Sequence, residues 1–173
     1  MGSIDFDKIW FKRLDPRDDL SAFHCSKDDD SGCDDFIHKP DEAKQYQKER
    51  QGVTYLFFHD VTMVGYVTLA MSSISAERLE KGSEEIRLRF YPCLFIGRLA
   101  VDDKWRLNGV GTYIANWATG LALELSEQIG CRYIVLEAKE SKVKFYNGIG
   151  FQKGTSLTGD RLEWLYKKIV SDE

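Results

Sequence analysis

Hydrophobic and polar residues recur along this 173-residue chain in short runs that can be read one element at a time. Phe6 to Leu14 mixes aromatic and aliphatic side chains and predicts a first strand, stopped by Asp15-Pro16. Asp15 to Asp35 is polar, with brief apolar contacts at Leu20, Ala22 and Phe23, and predicts a short helix and a loop. Phe36 to Gln51 predicts a helix, with Pro40 near its start or breaking it. Val53 to Phe58 and Met63 to Met71 predict a hairpin turning at His59-Asp60. Ser72 to Pro92 is irregular and charged, and reads as a long connection with one short helix.

The second half has a clearer pattern. Cys93 to Val101 is an apolar strand, and Asp102 to Gly111 a loop leading into a helix. Val110, Ile114, Trp117, Ala118, Leu121, Ala122, Leu125 and Ile129 fall at helical spacing, opposite Asn116, Glu124, Glu127 and Gln128. Gly130 is a stop signal. Tyr133 to Ala138 is a strand, Ser141 to Asn147 a short helix ending at Gly148, and Phe151 and Leu162–Ile169 supply two last strands. The order βααββ, connection, βαβαββ predicts an α/β (α+β) chain. Its sheet should be mixed and mostly antiparallel, with six or seven strands and helices on both faces.

Composition narrows the picture. The length suits a single domain over 1–173, and 43% hydrophobic with 30% charged residues excludes a wholly disordered or fibrous chain. A net charge of −4 excludes a uniformly basic nucleic-acid binder. The charge is uneven, however: residues 1–95 sum to −5 and residues 96–173 to +1, with eight aspartates between Asp15 and Asp35. No apolar run reaches the ~18 residues of a membrane span. No signal peptide is expected, Phe6 stands where a myristoylation motif needs Ser or Thr, and the four cysteines read as reduced thiols of a cytoplasmic protein.

The segment that carries chemistry runs from Gly97 to Gly111, where an apolar strand enters a glycine-containing loop that opens a long amphipathic helix. Backbone N–H groups at a helix start lack intrahelical partners and sit at the positive end of the helix dipole, so such a place binds phosphate. A P-loop needs Gly-x-x-x-x-Gly-Lys-Ser/Thr, which does not occur, and a dinucleotide fingerprint needs a small residue where Ile114 stands.

Arg106-x-x-Gly109-x-Gly111, after a strand ending Leu99-Ala100-Val101-Asp102, resembles the Arg/Gln-x-x-Gly-x-Gly/Ala signature of the Gcn5-related N-acetyltransferases (GNAT). Farther on, Phe145-Tyr146-Asn147-Gly148-Ile149-Gly150-Phe151 is similar to that superfamily's Phe-Tyr-x-x-x-Gly-Phe signature. Within the superfamily, Phe23-His24-Cys25, Asp34-Asp35-Phe36-Ile37, Gly65-Tyr66-Val67-Thr68-Leu69 and Tyr91-Pro92 resemble the acetyltransferase toxins of toxin–antitoxin pairs. In that branch the acceptor is the amino group of aminoacyl-tRNA.

The resemblance implies acetyl-CoA as cosubstrate, with its pyrophosphate on the backbone of Leu107, Asn108, Gly109, Val110, Gly111 and Thr112 and added charge from Arg106. The backbone of Leu99 and Val101 would pair with the pantetheine arm, which needs a gap beside the 133–138 strand, opened by a bulge. Tyr146 is the catalytic candidate, a general acid for the departing CoA thiolate; otherwise it is a helix-end aromatic packed on Phe151.

No carboxylate stands in Phe95–Leu99, where many relatives carry a base, and Glu137 reads better as a salt-bridging residue. That absence favours an α-amino acceptor, whose pKa of ~7.7–8.0 leaves it partly neutral, over a lysine at ~10.4. Arg87, Arg89, Arg98, Lys139, Lys142 and Lys144 are candidates for a basic surface suited to RNA phosphates, or are ordinary solvated charge. His24, Cys25, Cys33 and His38 fit no standard zinc spacing, so no metal is expected.

The resemblance further implies an antitoxin partner and admits a homodimer, while no membrane association is expected. Two other functions compete: acetylation of a small amine, polyamine or protein, drawn to the acidic 15–35 stretch, and a non-catalytic acyl-CoA-binding module.

Overall fold

A computed structural model describes residues 4–27, 29 and 31–169. Its strands are β1 (Ile9–Arg13), β2 (Val53–His59), β3 (Thr62–Ser75), β4 (Phe90–Val101), β5 (Tyr133–Ala138), β6 (Gln152–Lys153) and β7 (Glu163–Lys168). Its α-helices are α1 (Cys33–His38), α2 (Ala43–Lys48), α3 (Val110–Gln128) and α4 (Glu140–Asn147). From β2 onward the element order is the one the sequence pattern predicts. The strands form one seven-stranded sheet in the order β1-β2-β3-β4-β5-β7-β6. Pairing is antiparallel in the described ladders except between β4 and β5, whose connecting chain runs through α3.

Two compact units emerge, residues 1–70 with 98–115 and residues 71–97 with 116–173; β3 and β4 run through both. In the first unit Leu14, Phe23, Phe36, Ile37, Leu56, Tyr66 and Ala100 form a buried cluster. The 36–51 helix is broken in two. Lys39 precedes Pro40 and takes φ −67°, ψ 129°, because the proline ring excludes the helical region from the residue before it.

No helix forms between Asp15 and Phe23. Aspartates there bond backbone N–H groups locally instead: Asp18 accepts from Asp15, and Asp19 from Ser21. Such bonds compete with a helical turn. Asp29 accepts from the N–H groups of Cys33 and Asp34 at 2.9 and 2.8 Å and so starts α1. Burial tends to raise its carboxyl pKa, but these backbone bonds outweigh that and hold it below the usual value.

In the second unit Ile74, Leu79, Tyr91, Cys93, Tyr133, Val135 and Tyr166 pack together. The 72–92 connection is more ordered than its sequence suggests. β3 continues to Ser75, a 3-10 turn covers Ala76–Arg78, and Glu84 meets Arg132, Tyr133 and Lys168. The Arg78 guanidinium lies 4.5 Å from the Trp164 ring centre and holds Asp160 through bonds of 2.6 and 2.8 Å.

That pairing with Arg78 lowers the Asp160 pKa to about 2. A carboxyl depressed on folding stabilises the native state above its unfolded pKa of ~3.9, and this support fades as pH falls towards the folded value. Asp160→Asn is therefore expected to flatten the loss of stability between about pH 4 and pH 2. Urea midpoints of both proteins across that window check it, and equal slopes would remove the pair from the acid response.

Candidate active site

The phosphate-binding candidate lies wholly in the first unit. Beyond β4 the chain passes through turns from Asp103 to Gly109 and enters α3 at Val110, which is 1% exposed. Leu107 has φ +64° and Gly109 φ +84°. A leucine in the left-handed region is strained, and here its side chain is fully exposed. Left-handed residues alternating with right-handed ones turn successive N–H groups to one side, the backbone geometry of an anion nest. The nineteen-residue α3 adds its positive dipole end behind them.

The loop is held from beneath. Phe6 stacks on Tyr113 at 5.5 Å, and a Cβ on Gly109 would stand 3.2 Å from the Phe6 ring. The Asn108 amide donates to the carbonyls of Trp105 and Arg106 at 3.3 and 3.0 Å. The Trp105 ring packs 5.1 Å from that of His59. The Arg106 guanidinium donates to the Lys27 carbonyl, so one face of the cation is used to anchor the loop.

Asp102, unremarked in the sequence beyond its place in Leu-Ala-Val-Asp, is the loop's main anchor. It is 4% exposed, accepts from the N–H of His24 at 3.0 Å and of Lys104 at 2.9 Å, and donates its own N–H to the Val64 carbonyl. Each carboxylate oxygen thus serves one backbone donor. Asp102→Asn keeps the shape but replaces one acceptor with a donor facing an N–H. It is expected to cost about 1–3 kcal/mol, the penalty for an unsatisfied buried group. Urea unfolding measures this, and an unchanged midpoint would show that the anchor is dispensable.

Arg98, on β4 just before Leu99, stacks its guanidinium 4.2 Å from the Phe36 ring centre, and its Nε is buried without a hydrogen-bond partner. Leu99 and Val101 are half-buried at the strand's end. In the second unit the β4–β5 ladder pairs Cys93–Ile96 with Tyr133–Leu136 and ends there. β4 itself continues to Val101. The β2–β3 ladder shifts register between Phe57 and Phe58.

Tyr146 belongs to the second unit. It lies on the last turn of α4, where its carbonyl accepts from the N–H groups of Ile149 and Phe151 at 3.1 Å each. The ring is 9% exposed and meets Phe145 and Phe151 edge to face at 4.9 and 5.6 Å. The packing expected of a helix-end aromatic is therefore present. Glu137 pairs with Trp164 across β5 and β7. Its carboxyl pKa is pushed up, mainly by desolvation, against the pull of Arg78. Arg87, Arg89, Lys139, Lys142 and Lys144 lie in this unit, whereas Arg98 lies in the first.

Cys25 and Cys33 are buried, and burial pushes the Cys25 thiol far above its usual range.

A mixed sheet with one parallel pair thus carries, beyond β4, a turn with two left-handed residues that opens a nineteen-residue helix. The acetyltransferase (GNAT) family model matches residues 20–151, and the chain belongs to that family. The tRNA-acetylating toxin of Mycobacterium tuberculosis is 24% identical over 142 residues, covering 82% of each chain. Among solved structures, a tyrosine-to-phenylalanine mutant of KacT superposes with TM-score 0.79 at 18% identity, over 94% of this chain and 95% of that one. AtaT complexed with acetyl-methionyl-tRNAfMet does so with TM-score 0.77 at 21% identity, over 92% and 94%. These two likenesses concern the fold. No helix among the described residues is long and apolar enough to cross a membrane.

Proposed function

We propose that this protein transfers the acetyl group of acetyl-CoA to the α-amino group of an aminoacyl-tRNA and acts as the toxin of a toxin–antitoxin pair. The similarity that carries the reading is the match to a tRNA-acetylating toxin across 82% of both chains. Solved structures of AtaT with acetyl-CoA and the antitoxin AtaR, and with acetyl-methionyl-tRNAfMet, support the same carrier, partner and acceptor class. Residues 1–173 are read as a single acetyltransferase domain, a reading supported by the family match over residues 20–151, which includes residues of both units. Its place is the cytoplasm, where aminoacyl-tRNA is found.

The cofactor's pyrophosphate sits on the backbone N–H groups of Leu107, Asn108, Gly109, Val110, Gly111 and Thr112. Arg106 adds charge while anchored to Lys27. The backbone of Leu99 and Val101 pairs with the pantetheine arm as an added strand. Arg98, stacked on Phe36 with its Nε unpaired among the described residues, is fitted to a phosphate of the acceptor end.

The neutral amine attacks the thioester carbonyl and forms a C–N bond. The tetrahedral intermediate collapses with cleavage of C–S. Tyr146 donates its hydroxyl proton to the departing thiolate, the proton released from the amine passes to water, and water returns a proton to the Tyr146 phenolate. A substrate α-amino group needs no strong enzyme base, since its pKa of ~7.7–8.0 lies close to neutral pH. The rising limb of the pH–rate profile is expected near that value.

Labelled acetyl-CoA incubated separately with charged tRNA, polyamines and protein tests the reading. Label on aminoacyl-tRNA is expected. Label confined to small amines or protein would replace the acceptor, and tight CoA binding without transfer would leave only a binding module.

A further inference from the structure

The acidic stretch from Asp15 to Asp35 holds eight aspartates, a charge that works against an anionic substrate. In and just beyond it the structure brings together side chains that the sequence pattern groups differently. His24, Asp34 and His38 each offer one ligand atom, and the three atoms lie within 4.8 Å of one another. The thiols of Cys25 and Cys33 take no part. From this arrangement we infer a divalent-metal site of the zinc class, with two imidazoles, one carboxylate and a coordination position open to water.

The donor set suits zinc, nickel or copper, which imidazole favours, more than magnesium or calcium, which prefer all-oxygen shells. A three-residue set with one open position is a recurrent zinc arrangement.

The surroundings are those of a supported site. Ligating carboxylates and imidazoles are usually fixed by hydrogen bonds from a second layer of groups. Asp34 Oδ1 accepts from the Cys25 N–H at 2.8 Å and lies 3.7 Å from the His38 Nε2. That Nε2 also lies 2.8 Å from the Phe23 carbonyl, a hydrogen bond it would exchange for the metal. His24 is held by its backbone on both sides: its N–H donates to Asp102, and its carbonyl accepts from the Asp103 N–H at 2.8 Å. The two imidazole rings are 5.8 Å apart and tilted by 35°. Bonds of ~2.0–2.1 Å require ligand atoms closer together than this. The His24 ring is exposed, so it is free to swing inward by the ångström or so required.

The charge around the site is mixed: Asp29, Asp35 and Asp103 lie on or beside the short helix, as do Lys27, Lys39 paired with Asp35, Arg98 stacked on Phe36 and Arg106 bonded to the Lys27 carbonyl, so the two imidazoles and the carboxylate carry the site. A metal held by His24 would also fasten the 23–38 segment to Asp102 and Asp103, where the phosphate-binding loop begins. Metal binding is thus expected to stiffen the loop that receives acetyl-CoA.

The chain holds only three histidines, which gives an internal control: His59 lies outside the cluster, against Trp105. Untagged full-length protein is dialysed at neutral pH against micromolar Zn²⁺, and bound metal is measured. Visible absorption with Co²⁺ reports the coordination. One equivalent is expected in the wild type and in His59→Ala, with affinity at least about tenfold weaker in His24→Ala and His38→Ala.

Zn²⁺ should raise the melting midpoint of the wild type and not that of His24→Ala. Because the side chain of His24 is exposed and its backbone makes the structural bonds, that variant stays folded. No stoichiometric binding by the wild type, or equal binding by His24→Ala, overturns the site. These readouts need no acetyl transfer, so they stand or fall apart from the proposed function.

Discussion

Tyr146→Phe is expected to lower turnover with aminoacyl-tRNA at least about tenfold while leaving acetyl-CoA affinity and folding nearly unchanged. The substitution removes only the hydroxyl. The ring keeps its edge-to-face contacts with Phe145 and Phe151, and the carbonyl at position 146 still receives the Ile149 and Phe151 N–H groups. The stability change should stay within about 1 kcal/mol, the net worth of a typical hydrogen bond. What is lost is the proton donor. Without it the thiolate leaves as an anion, and collapse of the tetrahedral intermediate towards products slows. Single-turnover rates at saturating acetyl-CoA, beside calorimetric titration with CoA, separate chemistry from binding. A variant with wild-type turnover would remove Tyr146 from the reaction and leave it as a packing residue.

Gly65→Ala should damage the cofactor strand through stability. A Cβ at Gly65 would stand 2.6 Å from the Ile114 Cδ1 and 2.7 Å from the Ala100 carbonyl oxygen. The isoleucine tip can rotate away, but the carbonyl belongs to β4 between Leu99 and Val101, the two residues assigned to the pantetheine arm. Overpacking of this kind costs about 1–3 kcal/mol, and a protein of this size loses roughly 2–4 °C of melting midpoint per kcal/mol. Acetyl-CoA affinity should fall as well, because the displaced backbone is the pairing edge. Gly120→Ala is the control: nothing lies within 4 Å of a Cβ there, and alanine in a helix interior gains up to ~1 kcal/mol over glycine. Thermal melts with and without CoA compare the two. A Gly65→Ala midpoint equal to wild type would show that β4 yields without cost.

Much of this was legible in local pattern. The hydrophobic spacing of 110–129 predicted a helix, and α3 spans Val110–Gln128. Tyr133–Ala138 is a strand with the bounds its sequence gives. The Arg106-x-x-Gly109-x-Gly111 spacing located the loop, since a left-handed turn next to a helix start needs glycine, and glycine is visible in sequence. The errors have local causes. Pro40 split one helix into two, and aspartate side chains between Asp15 and Asp35 took backbone donors that a helix would have used. The 72–92 segment looked irregular because Glu84 finds its partners at Arg132, Tyr133 and Lys168, far along the chain.

The sequence by itself determined the order of elements from β2 onward, the family motifs, the glycine-containing turn that opens α3 and the uneven charge. Each of these is written in residues a few positions apart, within reach of helix periodicity, strand alternation or glycine's freedom at positive φ. Only the tertiary structure decided that the β4–β5 ladder stops at Ile96, that Asp102 pins the loop to His24 across 78 residues, and that His24, Asp34 and His38 meet while the neighbouring thiols are buried. Those facts depend on which distant segments share a hydrogen bond or a core, and hydrophobic pattern alone is silent about partners.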